Sequence, residues 1–253
     1  ILNYDEVYLS PNSFIATDSA PAWLGMKLNF VDLDEEYRFP ALVTHLYGQP
    51  NMVSVNPVIY DASHAFTTIH RKKSILSYGN ISVISFNAVK IFQTIEGGAI
   101  VTKDDKIAEM ARWMRNFGFK TRYSFQGTGI NCKMNEFQAA MGLCVLPLVE
   151  KMRNKYDELI KRYNKAFKYD YQQLTYYPFY YSSEEKLLVA ITKFEENNIY
   201  PRRYFYPPLN KVFGERECPL AEDLMSRVLC LPLYYELTEK QQDRIIRIVH
   251  ETI

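Results

Sequence analysis

Residues 81–102, ISVISFNAVKIFQTIEGGAIVT, constrain the fold more than any other stretch of this 253-residue chain. Ile81, Val83 and Ile84 open it as an apolar run that reads as a buried strand. Ala99, Ile100 and Val101 close it as a second. Between them lie Ser85, Asn87, Lys90 and a Glu96-Gly97-Gly98 turn. A lysine between two buried strands is either solvated at a strand end or held there for chemistry. Upstream, residues 5–9, 28–32, 41–46 and 58–60 are further short apolar runs. They lack clean alternation, which suits strands buried on both faces of a parallel sheet.

Downstream the period changes. Ile107, Met110, Ala111 and Met114 share one helical face over 104–117, with Asp104 and Asp105 at its start and Gly118 as a stop. A polar loop is expected over 121–130. A long helical pattern then runs from Met134 to about Tyr169, kinked or split at Pro147. Residues 171–181 read as an aromatic strand, 184–198 as an amphipathic helix, and Tyr200 to Leu209 as extended chain. Helices are expected over 219–230 and 238–252. Near the N-terminus, Pro11-Asn12-Ser13 is turn chemistry, followed by a small-residue stretch that ends at Gly25. The expected architecture is a large α/β domain over 1–150 with a mostly parallel sheet flanked by helices, then a smaller α+β domain over 151–253.

Lys plus Arg number 30 against 29 Asp plus Glu, so the net charge of +1 gives no footprint for nucleic acid or for a membrane surface. No apolar run has the length of a membrane span, and no signal-peptide pattern is present. Cys132, Cys144, Cys218 and Cys230 form no CxxC pair and no metal-ligand spacing, which fits reduced thiols in a cytoplasmic protein. The 20 tyrosines read as packing.

Two residues stand out by position. Asp61 ends one buried run and Lys90 follows another, and α/β sheets bind ligands outside the carboxyl ends of their strands. Desolvation disfavours a charged lysine, and a neutral amine can attack a carbonyl. Pyridoxal phosphate needs such a lysine, a carboxylate beside its ring nitrogen, and hydroxyl and N–H donors for its phosphate. Ser85 and the neighbouring turn could supply some of these donors. On spacing alone, Lys90 reads more often as a surface lysine and Asp61 as a cap or loop carboxylate.

The segments VIYDASHAF, ISVISFNAVKIFQTIEGGAIVT, RNFGF and GINCKMNEFQAAMGL occur in the order of the signature blocks of the DegT/DnrJ/EryC1/StrS sugar aminotransferases, and the chain resembles that family over most of its length. DEVYLSPNSFIAT, THLYGQP, YPRRYFYPPL and VLCLPLY add to the likeness. The resemblance implies the aspartate aminotransferase fold (fold type I) and pyridoxal 5'-phosphate as cofactor. It makes Lys90 the Schiff-base lysine and proton shuttle, and Asp61 the partner of the pyridinium nitrogen. It places His64 beside the cofactor ring, Phe14 on the ring face and Ser85 on the phosphate. Asn131 would reach the phosphate of a neighbouring subunit, implying a homodimer with shared active sites. Plain readings stand beside these: Phe14 as core, His64 as a satisfied strand-end residue, and Asn131 as a cap for the helix near Met134.

The implied substrates are glutamate and a nucleotide-linked keto-sugar. The look of FNAVKIFQTIEGGAI with YPRRYFYPPL is closest to enzymes acting on dTDP-4-keto-6-deoxyglucose for O-antigen synthesis. A 3-keto sugar is the runner-up, and a non-catalytic nucleotide-sugar binder the alternative from another class. Arg202 and Arg203 are candidates for the diphosphate, or a solvated basic pair. Asn87, a further candidate for substrate, stands where many relatives have histidine. The chain also departs from the family pattern in length. The family's upstream glycine-threonine block is missing, and residues 51–57 are too few for a helical crossover between parallel strands. The expectation is that pieces of a longer polypeptide are absent. An intact mass equal to the 29.7 kDa of this sequence would refute it.

Overall fold

The computed structural model describes residues 4–214 and 216–253. The chain enters through β1 (Glu6–Leu9), α1 (Ile15–Trp23), β2 (Lys27–Phe30), β3 (Ala41–Thr44) and β4 (Val58–Asp61). A small hairpin of β5 (Ile69–His70) and β6 (Lys73–Ser74) follows, then β7 (Ile81–Ser85) and β8 (Gly98–Thr102). Six strands form the central sheet in the order β2-β1-β3-β4-β7-β8. All neighbours are parallel except β7 and β8, which pair antiparallel.

The apolar runs pair as strands because their alternate residues fill two faces. Val7, Leu9, Leu28 and Phe30 face one side and meet Leu209, Cys218 and Ala221 from the far end of the chain. Ala41, Val43, Val58 and Tyr60 face the other side and form a separate cluster with Val53, Val55 and Tyr78. Cover is thinner toward β8, where Val83 is 40% and Ile100 49% exposed. β3 and β4 are parallel although residues 45–57 between them hold only a single 3-10 turn. No helical crossover stands between them, as the length of residues 51–57 implied. An irregular strap makes the return and supplies Val53 and Val55 as cover in place of a helix.

Beyond the sheet come α2 (Asp105–Met114), a short hairpin of β9 (Phe119–Thr121) and β10 (Ser124–Phe125), α3 (Glu136–Val145) and α4 (Val149–Phe167). Asp104 caps α2 by accepting from the N–H groups of Lys106 and Ile107. Gly118 is required after it: its φ is +82°, and a Cβ there would lie 1.9 Å from the Gly127 carbonyl oxygen. Pro147 splits the long helical pattern, and a 3-10 turn over Leu146–Leu148 separates α3 from α4. The loop expected over 121–130 includes the end of the small hairpin, whose pairing is too short to show in a sequence pattern.

The remaining elements are β11 (Tyr177–Tyr180), α5 (Glu184–Glu196), α6 (Leu209–Phe213), α7 (Pro219–Ser226), β12 (Val228–Leu231) and α8 (Glu239–Thr252). Tyr156, Leu159, Ile160 and Tyr163 line one face of α4 at helical spacing and pack on the β11–β12 pair, α5 and α8. One sequence expectation fails. Residues 219–230 are not one helix: α7 stops at Ser226, and the fully buried run Val228–Leu231 pairs antiparallel with β11. The small-residue stretch up to Gly25, given no element from the sequence, forms α1 despite Pro21, with only Thr17, Asp18 and Pro21 buried.

Phe194 of α5 is fully buried in the C-terminal core. Phe194→Ala is expected to destabilise the fold by about 3–5 kcal/mol in urea unfolding.

Candidate active site

β3, β4 and β7 run parallel and end in the same direction: Thr44 pairs with Asp61, Asp61 with Val83, and Ser85 ends β7 two residues further on. Lys90 sits on the turn just beyond β7. That turn is built by its own side chains. Asn87 Oδ1 accepts from the Val89 N–H, Ser85 Oγ accepts from the Asn87 N–H, and Asn87 Nδ2 donates to Glu96 at 2.6 Å. Phe86, Phe92 and Phe66 stack beneath it, with ring centroids 4.8–6.1 Å apart. The lysine therefore projects from a fixed loop.

A cavity beside Lys90 is lined by Ser63, His64 and Ser85 from the sheet side and by Tyr156, Thr175 and Tyr176 from the C-terminal half. Burial lowers the Lys90 pKa, and the charge of Asp61 opposes part of that shift. The Lys90 ammonium lies 5.6 Å from the centroid of the Tyr176 ring. His64 is held at about 3 by burial first and by the Lys90 charge second, against the pull of Asp61. Its Nδ1 accepts the Tyr47 N–H at 3.2 Å, which assigns the ring proton to Nε2. Tyr47 itself holds a left-handed backbone, φ +58°, a conformation that stores about 1–2 kcal/mol in a non-glycine residue.

Asp61 is hydrogen-bonded at both oxygens. Oδ1 accepts the Ser63 N–H at 2.9 Å, and Oδ2 accepts the Thr17 hydroxyl at 2.6 Å. Thr17 in turn accepts from Ser13, and Ser13 shares a 2.8 Å contact with Thr44. Each hydroxyl carries one proton, so the carboxylate fixes the direction of the whole chain: Thr44 donates to Ser13, Ser13 to Thr17, and Thr17 to Asp61. The buried start of α1 thereby aims the carboxylate.

Of the residues singled out in the sequence, Lys90, His64 and Ser85 line one cavity, and Asp61 acts on both Lys90 and His64. Phe14 reaches the group at its rim through Phe205, 5.5 Å away, which stacks on His64 at 5.8 Å. Asn87 shapes the lysine loop and is occupied there. Asn131 is not in the cavity. It lies on exposed chain, bridged to Asn116, and helix α3 is capped by Asn135 instead. Arg203 is spent on Glu184, the Ser226 carbonyl and the Tyr206 ring, whereas Arg202 lines a different cavity. Thr17 and Tyr176 were not legible as site residues. Thr17 follows Phe14 by three positions, the one spacing that could have pointed to it.

The donor set fits pyridoxal phosphate: an amine of lowered pKa, a carboxylate with fixed orientation, a neutral imidazole and two serine hydroxyls at strand ends. The free space is only about 10 Å³, because residues of the C-terminal half close over Lys90. Seating a cofactor ring there moves those side chains outward.

This sheet, with a half-buried lysine and an aspartate at the carboxyl ends of its strands, defines a pyridoxal-phosphate-dependent transferase of the aminotransferase fold. The chain belongs to the DegT/DnrJ/EryC1/StrS aminotransferase family, whose model matches residues 41–250. Its enzymes are pyridoxal-phosphate-dependent sugar aminotransferases, and the resemblance stated from the motifs holds. The chain is 30% identical to a dTDP-4-amino-4,6-dideoxy-D-glucose transaminase of Shigella dysenteriae over 291 aligned positions, 97% of this chain and 79% of that protein. Those 291 positions exceed the 253 residues here, so that enzyme carries internal residues with no counterpart in this sequence. It is also 30% identical, over 65% of its length and 51% of the other, to a UDP-4-amino-4,6-dideoxy-N-acetyl-beta-L-altrosamine transaminase of Helicobacter pylori. The fold matches the crystal structure of the aminotransferase TlmJ from Streptoalloteichus hindustanus with a TM-score of 0.89 at 22% identity, over 98% of this chain and 79% of that one.

Thr17→Val is expected to lower the rate of the amino-donor half-reaction about tenfold or more, with Thr17→Ser restoring it, as read by stopped-flow absorbance. A second test concerns Asp18, which is fully buried with both oxygens unpartnered. Burial, then the charge of Asp61, raises its pKa from 3.8 to about 8. Between those values the folded chain keeps a proton that the unfolded chain has lost, so stability falls as pH rises. The depressed pKa values of His45 (about 4) and His64 (about 3) act in the opposite sense, and only below about pH 6.5. Asp18→Asn is therefore expected to stabilise the protein at pH 8 relative to pH 6.5, by on the order of 2 kcal/mol in denaturant titrations.

Proposed function

We propose that this chain transfers an amino group from glutamate to a nucleotide-linked keto-deoxysugar. The substrate proposed is dTDP-4-keto-6-deoxyglucose, and the setting is cytoplasmic synthesis of O-antigen or related polysaccharide. The observation that carries the reading is the half-buried Lys90 sharing one cavity with His64 and Ser85 at the strand ends, within the influence of the Asp61 charge. The relatives' names support the sugar substrate, and the Shigella dysenteriae enzyme supports the dTDP-linked 4-amino product class. Among the described residues no helix is long and apolar enough to cross a membrane.

Bound pyridoxal phosphate supplies a carbonyl that amines can attack and a ring that accepts the electrons of a breaking C–H bond. The chain's own residues do the rest. Lys90, whose pKa is lowered by burial, would anchor the cofactor and carry a proton between the two reacting carbons. Asp61 would hold the ring nitrogen, with its own direction set by Thr17 and Ser63. His64, whose pKa burial lowers to about 3, would offer Nε2–H beside the ring. Ser85 and Ser63 would supply hydroxyls toward the phosphate. Phe14 and Phe205 form the aromatic side of the site.

We read the working unit as a homodimer. Helix α3 supports this: Phe137 is 85% and Leu143 73% exposed, and Ile130, next to Asn131, is exposed as well. Apolar surface of this extent on one helix is what a permanent interface covers. In that dimer Asn131 serves the phosphate of the partner's site.

Two measurements test the reading. Purified protein mixed with pyridoxal phosphate is expected to develop the visible band of lysine-bound cofactor, which bleaches with glutamate and never forms in Lys90→Ala. Absence of the band in the wild type refutes the reading. In sedimentation velocity the wild type is expected at dimer mass and Phe137→Asp at monomer mass.

A further inference from the structure

No carboxylate lines the cavity that holds Lys90, and none of the other side chains lining it carries a charge near neutral pH. His64 is neutral there because burial lowers its pKa to about 3, and burial raises the pKa of the Tyr156 and Tyr176 phenols. Burial lowers the Lys90 pKa and the Asp61 charge opposes it, yet both Asp61 oxygens are taken by Thr17 and Ser63. Among the described residues Lys90 forms no ion pair. What its ammonium meets is the ring of Tyr176, with Nζ 5.6 Å from the centroid. An ammonium within about 6 Å of a tyrosine ring is attracted by the negative π face, and more strongly where water is excluded.

Both partners in this contact are fixed. Leu174 and Tyr177, on either side of the segment that carries the ring, are buried in the C-terminal core. The Thr175 N–H donates to the Tyr47 carbonyl at 2.9 Å, and the Thr175 hydroxyl shares its proton between the carbonyls of Tyr47 and His64. The Tyr176 ring meets His64 edge-on at 4.8 Å and Tyr204 edge-on at 5.1 Å. On the other side, the Lys90 N–H donates to the Asn87 carbonyl at 2.9 Å, which fixes the turn. A flexible four-carbon stem thus runs from a fixed turn to a fixed ring.

A carboxylate in the place of Tyr176 would hold Lys90 charged. A ring face attracts the ammonium less strongly and also packs against the uncharged amine and its stem. It therefore keeps the side chain in one place through both protonation states, as a lysine that takes up and gives back a proton requires.

We infer that Tyr176 is a positioning residue for Lys90: its ring face, in place of an ion pair, holds the lysine amine whenever that amine is free. The inference rests on the reading of Lys90 as the working lysine of an aminotransferase. It goes beyond that reading in giving a residue of the C-terminal half a part in the state of the lysine.

The test is trace labelling of the whole chain, freed of cofactor, with acetic anhydride between about pH 7 and 11; mass spectrometry of the Lys90 peptide gives the midpoint of its titration. Tyr176→Leu and Tyr176→Met both remove the ring without adding charge, and two variants are used so that a failure of one to fold leaves the other. Circular dichroism checks the folding of each. Loss of an interaction that favours the ammonium lowers the pKa, so both variants are expected to move the midpoint down by about half a pH unit or more, while Tyr176→Phe, which keeps the ring face, stays near the wild type. An unchanged midpoint in the folded ring-less variants overturns the inference, as does an upward shift, which would mark the ring as a cover against water. A shift in Tyr176→Phe as large as in Tyr176→Leu overturns it too, by assigning the effect to the hydroxyl. Any of these results in protein whose cofactor band bleaches with an amino donor leaves the aminotransferase reading standing. The downward shift in protein that never takes up cofactor supports the role of Tyr176 and overturns that reading instead.

Discussion

Exclusion of water from Lys90 is the constraint on which the rest of the site depends. A lysine in solvent holds its proton so tightly that it can neither attack a carbonyl nor carry a proton between carbons. Removing water is easy with apolar walls, but the walls here also have to hold Asp61 nearby, and that carboxylate raises the Lys90 pKa again. The structure meets both demands by geometry. Asp61 is tied at Oδ1 to the Ser63 N–H and at Oδ2 to Thr17, so both of its oxygens have fixed partners, while Tyr176 rather than a carboxylate faces the lysine. The field of Asp61 is felt at Lys90 without a direct ion pair that would lock the amine in its charged form.

The walls come from both ends of the sequence, and Tyr47 joins them. Its N–H fixes the His64 tautomer, its carbonyl accepts from Thr175, and its hydroxyl donates to the Tyr204 carbonyl. One residue in a left-handed conformation thus sets the ring orientation at the sheet and the position of the two segments that cover it. Strain of this kind persists only where surrounding contacts over-determine it. Here the contacts are the buried ring of Tyr47 in the C-terminal core and the four hydrogen bonds its polar groups make. The closeness of that packing also explains the small free space beside Lys90: the C-terminal segments rest on His64 and the lysine loop until something displaces them.

The sheet was legible because each of its strands is a short apolar run bounded by turn residues. Lys90, Asp61 and Ser85 were legible by their places at strand ends, and His64 only through the family resemblance; Lys90, His64 and Ser85 line one cavity, and the Asp61 charge acts on Lys90 and His64. What escaped has a common physical cause. Val228–Leu231 is apolar on both faces and follows a helix, so only its partner β11 identifies it as a strand. Helix α1 carries a proline and buries only three side chains, which leaves no periodic stripe to read. Thr17 and Tyr176 owe their roles to neighbours 44 and 86 positions away in sequence, Asp61 and Lys90 respectively. No local pattern encodes a contact of that range. Asn131 is the reverse case. The family resemblance assigns it a role that one copy of the chain cannot display, since the residue lies on exposed surface beside α3.

Arg202 and Arg203 show how backbone geometry decides what composition leaves open. Both were candidates for phosphate, and adjacent residues of the same type are indistinguishable by chemistry. Arg202 pairs with Cys230 through two backbone hydrogen bonds, which makes this stretch extended. Successive side chains on extended chain point to opposite sides. One arginine must therefore enter the protein while the other faces the cavity. Arg203 enters, where Glu184 and the Ser226 carbonyl neutralise and bind it. Among the described residues Arg202 has no carboxylate partner, and it lines a cavity in the C-terminal half.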